Sequence, residues 1–170
     1  MFKKILLGAL CAVAFNAYAN PENQKPLTQT LQKLEDEGKI PKLERTDSIA
    51  GIDKDRNGIR DDIDTYILKN YKNEVQRKAV LQYAKSVQGY LTTDPTDRTA
   101  VMKAVDKNTR AMSCVFEKFD GTDDGPNGNI VDEIGRITMN TKTRLVAYHK
   151  FDSALDGSVI SLPQRNYCDE

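Results

Sequence analysis

From residue 61 onward, apolar side chains recur at every third or fourth position, and that period constrains the fold more than any other property of the chain. Val75, Ala79, Val80, Tyr83, Val87, Tyr90 and Leu91 form one continuous stripe, and Val101, Ala104, Val105, Met112, Val115, Phe116 and Phe119 form another. A repeat near 3.6 residues gathers such side chains on one face of an α-helix, where a half-buried strand would need strict alternation. The best strand-like run, Ser158 to Leu162, is too short to build a sheet by itself. The expectation is an all-α fold, a small bundle of about five helices.

Start and stop residues divide the pattern. Leu27, Leu31 and Leu34 mark a short first helix, which Gly38 and Pro41 end. A second starts at Asp61, with Ile63, Tyr66, Ile67 and Tyr71 on one face, and Asp61 and Asp62 suit the positive end of its dipole. Asn73 with Gln76 reads as the cap and capping-box partner of the third helix. Asp94 reads as the N-cap of the fourth, with Pro95 in its first turn and Asp97 near its positive end. Asn108 falls on the fourth helix's stripe and reads as a hydrogen-bonded amide in the core or at its rim. Ile134, Ile137, Thr141, Leu145, Tyr148 and Leu155 mark one last long helix that Gly157 stops. Before it, the run Asp120 to Asn129, DGTDDGPNGN, is a loop by composition.

The irregular stretch Thr46 to Ile52 leads into GIDKDRNGIRDDID, residues 51–64. With Asp53 as position one, side-chain oxygens fall on Asp53, Asp55, Asn57, Asp61 and Asp64, at positions 1, 3, 5, 9 and 12, and Gly58 holds position 6, where the chain must turn. Together with the backbone carbonyl of Ile59 they make an oxygen set of the kind that calcium, a hard cation, selects. Lys54 and Arg56 are expected to point away from it. The stretch resembles EF-hand-like loops of the dockerin and thrombospondin-repeat type, in which an Asp-rich loop leads directly into a helix. The resemblance covers about fourteen residues and implies a Ca2+ site, not a fold for the rest of the chain. Two departures stand out: Asp64 is one methylene shorter than the usual closing Glu, and Arg60 holds a position that is usually apolar in paired loops. The alternative is an Asp-rich turn that only caps a helix, but a cap does not need so many oxygens at fixed offsets. Asp120, Asp123, Asp124 and Asn127, followed by Asp132 and Glu133, echo the first loop one residue out of register. A solvated turn is expected there, with a second metal site or a partner contact as alternatives.

Residues 1–19 read as a secretory signal: Lys3 and Lys4, an apolar run from Ile5 to Phe15, and Ala17-Tyr18-Ala19 before Asn20. Leu10 before Cys11 argues against a lipid anchor. Residues 20–170 are then expected to form a single helical domain, periplasmic or secreted and not membrane-spanning. Loss of Lys3 and Lys4 turns the balance of 25 basic and 25 acidic residues into a net charge of about −2, which offers no general attraction to nucleic acid. Cys11 leaves as well, so Cys114 and Cys168 are expected to pair in an oxidising compartment and pin the C-terminal tail. Closing that loop of about 54 residues restricts the unfolded chain by roughly 4 kcal/mol.

Catalytic patterns are sparse. His149 is the single histidine, which excludes a His-rich zinc site, and no Gly-rich phosphate loop is present. The leading expectation is an exported, non-catalytic calcium-binding protein whose ion orders a loop and a surface for another protein. Two alternatives are carried: a periplasmic immunity or inhibitor protein against a toxin or hydrolase, and a small cell-wall or polysaccharide hydrolase using acids near Asp120 to Asp124 or Glu133.

Overall fold

The computed structural model describes residues 21–119, 128–165 and 167–169. The expected signal segment 1–19 and the acidic stretch 120–127 lie outside them. The chain divides into two units, residues 1–42 and 43–170. The first holds α1 (Pro21–Asp36), which ends as expected: Gly38 takes φ +69°, and the amide of Lys39 turns back to the carbonyl of Leu34 at 2.9 Å. This left-handed ending satisfies carbonyls that the last helical turn leaves open.

The second unit carries α2 (Asp61–Asn70), α3 (Glu74–Thr92), α4 (Arg98–Phe119), α5 (Gly128–Thr138) and α6 (Lys142–Ser153), with no strand among the described residues. The all-α class is as expected; the described helices number six rather than about five. α3 is the hub and packs against α2, α4, α5 and α6. Ile63 and Ile67 of α2, Val80 of α3, Val115 of α4 and Ile134 of α5 meet in the main core with no solvent exposure. Burial of each such side chain contributes roughly 1.5–3 kcal/mol. A smaller cluster joins Val101 and Val105 to Phe151, whose ring stacks on Tyr90 at 4.2 Å.

Several expectations need correction. The long last helix is two helices, because Thr141 takes an extended conformation and its side chain accepts the amide of Arg144. Leu155 falls beyond the end of α6. The cap of α4 is Asp97, which accepts the amides of Thr99 and Ala100, whereas Asp94 closes a turn of its own on Thr96. Asn73 caps α3 through the amides of Val75 and Gln76, but the Gln76 side chain donates to Lys118 O instead of returning to the cap. Val75, Phe116 and Leu145, placed on inward stripes by their spacing, are exposed. Asn108 is the hydrogen-bonded amide expected: its Nδ2 donates to Ser86 Oγ at 2.9 Å.

The tail is held at its end. Cys168 is joined to Cys114 of α4, and the amide side chain of Gln82 on α3 donates to Tyr167 O at 2.8 Å and accepts Asp169 N at 3.0 Å. No helix among the described residues is long and apolar enough to cross a membrane.

Candidate metal centre

The loop before α2 is closed at its neck by one backbone bond, Asp61 N to Ile52 O at 2.8 Å. Inside it, Gly58 adopts φ +90° and Arg56 φ +58°, two left-handed positions on either side of Asn57 that turn the chain sharply. Carboxylate oxygens of Asp53, Asp55 and Asp61 all lie within 4.8 Å of one another. Asp53 accepts the amides of Asn57 at 3.2 Å and Gly58 at 2.9 Å, and Asp61 accepts that of Lys54 at 2.9 Å. Ile59 turns its side chain into the main core, which anchors the loop from below.

The other two side chains expected to bind metal are joined to the cluster through an amide. Asn57 Nδ2 donates to Asp55 Oδ2 at 3.1 Å and to Asp64 Oδ2 at 2.5 Å, while its Oδ1 accepts Ile59 N at 2.7 Å. A positively polarised group thus bridges two carboxylates. Rotating this amide by 180° exchanges donor for acceptor and turns the oxygen toward them. Contrary to expectation, Lys54 does not point wholly away: its ammonium is 4.0 Å from Asp61 Oδ2.

The acids of the cluster respond to different surroundings. Burial pushes Asp64 above the ordinary carboxylate range, and the negative charges of Asp55, Asp53 and Asp61 push it further, against the Asn57 hydrogen bond. Burial acts upward on Asp53 too, but the Gly58 amide, a hydrogen bond with the Asp55 side chain and the amides of Asn57 and Arg56 outweigh it and hold that carboxyl low. The cluster therefore carries a mutual repulsion that a cation would relieve.

A second group of charges, which the sequence reading missed, fixes both flanks of the loop. The guanidinium of Arg60, fully buried, forks onto Asp62 with bonds of 2.6 and 2.9 Å, and also reaches the carbonyls of Ile137 and Thr138 at the end of α5. Arg144, equally buried, bonds Glu44 Oε1 at 3.0 Å, Asn140 Oδ1 at 2.7 Å and the carbonyls of Glu44 and Ser48. Glu44 in turn accepts the amide of Ile52, at the neck, and the Thr46 hydroxyl. Burial alone would raise the Glu44 carboxyl, but these hydrogen bonds and Arg144 lower it from an ordinary 4.5 to about 2. Two buried cations are thus paired with two half-buried anions and further bonded to backbone carbonyls, the condition under which burying them is tolerable. Arg60 stands at the unusual loop position noted from sequence, and its departure from apolar chemistry was the available signal.

Of the residues raised for other chemistry, Glu133 is engaged by the hydroxyls of Tyr66 and Tyr71, which ties α5 to α2. His149 is exposed beside Tyr148. Comparison with known protein families, with characterised proteins and with solved structures finds no match.

Proposed function

We propose that this chain is an exported, non-catalytic calcium-binding helical protein whose ion rigidifies the loop Asp53 to Asp64 and thereby a surface that meets another protein. The observation that carries the reading is the convergence of the Asp53, Asp55 and Asp61 carboxylates within 4.8 Å around the left-handed turn at Gly58. With Asn57 turned to present its oxygen, Asp64 and the Ile59 carbonyl complete six oxygens, within the range calcium takes. The neck bond and the arginine pairs favour binding because little of the loop's path remains to be ordered by the ion. Beside the loop, a cleft lined by Asp55, Asp61 and Asp64 also carries Leu68, more than half exposed, which gives a partner an apolar contact next to the ion.

Calorimetric titration of chelator-treated protein tests this. One calcium ion is expected to bind with a dissociation constant of about 0.1–1 mM, as extracellular modules do. At tenfold excess over that constant the fold gains about 1.4 kcal/mol by mass action. Asp53→Ala abolishes the heat, whereas Lys54→Ala preserves or tightens binding by removing a competing cation. Absence of both heat and thermal shift at millimolar calcium would leave only an acidic helix entry and end this reading.

A further inference from the structure

A cleft of about 730 Å3 separates part of α3 from α4 and ends against the loop at Gly58 and Ile59. Its volume is that of a site for a small molecule. Five cations line it: Arg60, already paired with Asp62, Lys85 from α3, and Lys103, Lys107 and Arg110, which share one face of α4. Lys85, Lys103 and Lys107 make no ion pair among the described residues. Asp53 and Asp169 are the acids on its wall, so positive charge prevails. Like charges one helical turn apart, as Lys103 and Lys107 are, work against the helix, and packing gives no return for placing them around a cavity.

Gly89 is a second, independent sign. It lies inside α3, where Ala would be the better helix former, and it lines the cleft. Its backbone does not need glycine, and a Cβ added there would meet nothing within 4 Å. The one consequence of this glycine is room in the cleft. Nearby, Gln88 is 6% exposed; its Nε2 donates to Ala50 O, while its buried Oε1 has no hydrogen-bond partner. Thr92 and Thr93 add to the lining hydroxyl oxygens that can accept, their protons being donated to the carbonyls of Gln88 and Gly89, and no aromatic ring is among the lining residues to stack a nucleobase.

We propose that this cleft binds a small anionic carbohydrate, a sugar ring carrying phosphate or carboxylate, with Lys85, Lys103 and Lys107 around the anion and the Thr92 and Thr93 oxygens accepting from the sugar hydroxyls. The site adjoins the calcium loop through Asp53 but does not rest on the calcium reading, and metal-free protein keeps the two tests separate. Titration of the full chain with glucose 6-phosphate, glucuronate, glucose and inorganic phosphate decides it. At least one of the two anionic sugars is expected to bind with a dissociation constant of about 1 mM or below, weakening as salt rises. Glucose should be at least tenfold weaker, and so should inorganic phosphate. Joint Lys103→Ala and Lys107→Ala substitution is expected to weaken binding at least tenfold, while Lys142→Ala, at the exposed start of α6, leaves it unchanged. Gly89→Leu is expected to fill the cleft and abolish binding with no fall in melting temperature. The proposal is overturned if neither anionic sugar binds, if glucose or inorganic phosphate binds as tightly, or if the lysine variant binds like the wild type.

Discussion

Two backbone positions in the loop segment have opposite demands. Gly51 adopts φ +72°, and a Cβ built on it would lie 2.5 Å from Glu44 Oε2 and 2.7 Å from Arg60 Cγ. Both atoms belong to paired side chains, Arg60 buried and Glu44 half-buried, that cannot retreat without breaking hydrogen bonds, so the residue must be glycine for space as well as for conformation. Gly51→Ala is expected to cost about 3 kcal/mol, combining left-handed strain with overpacking. Arg56 also has positive φ, at +58°, but its side chain is exposed. Arg56→Gly is therefore expected to stabilise by about 0.5–1 kcal/mol, the strain relieved less the entropy that glycine adds to the unfolded chain. Urea denaturation of the two variants gives the pair of signs; a neutral Gly51→Ala would mean that the arginine and glutamate side chains have room to move.

Among the elements, the buried charges connect what the chain separates. Arg144 on α6 reaches Glu44, 100 residues earlier, and Arg60 before α2 reaches the end of α5, 77 and 78 residues later. Arg144→Met leaves the Glu44 carboxylate and nearby carbonyls without their donor, and is expected to cost roughly 3–5 kcal/mol. Glu44 also sets a pH dependence. Its folded carboxyl is lowered to about 2 from 4.5, so its contribution is complete above about 4.5 and is lost as pH falls toward 2. The stability gap between wild type and Glu44→Gln should accordingly narrow across that window in acid titrations of unfolding, and a gap that stays constant from pH 6 to 2 would contradict the pairing. The helices were legible in the sequence because apolar spacing and caps such as Asn73 are local. The split of the last helix was written in Thr141, but its apolar spacing continues across the break. The arginine pairs were not legible, since charged residues are ordinarily solvated and their partners here are distant in sequence. The oxygen spacing of the loop did identify Asp53, Asp55 and Asp61 as neighbours, because three close offsets around a glycine leave the chain few other paths.

At the scale of the whole molecule, the tail connects the disulfide to both clefts. Asp169 follows Cys168 directly and lines the basic cleft between α3 and α4 as well as the acidic one beside the loop. Its position depends on the bond from Cys168 to Cys114, 54 residues away, and on the two hydrogen bonds of Gln82. Joint Cys114→Ser and Cys168→Ser substitution removes the crosslink, and is expected to cost about 2–4 kcal/mol. Two hydrogen bonds contribute only about 1 kcal/mol each against the freedom of a tail without regular structure, so the segment after Gly157 should detach well before the helices unfold. Hydrogen exchange would then show the Asp169 amide, bonded to Gln82 in the intact protein, unprotected while α3 and α4 remain protected. Detachment also withdraws the Asp169 carboxylate from among Lys85, Lys103 and Lys107, which raises the positive potential of the basic cleft. The same variant should thus be less stable and bind an anionic sugar more tightly. An Asp169 amide that stays protected in it would assign the hold on Asp169 to Gln82 instead of the disulfide.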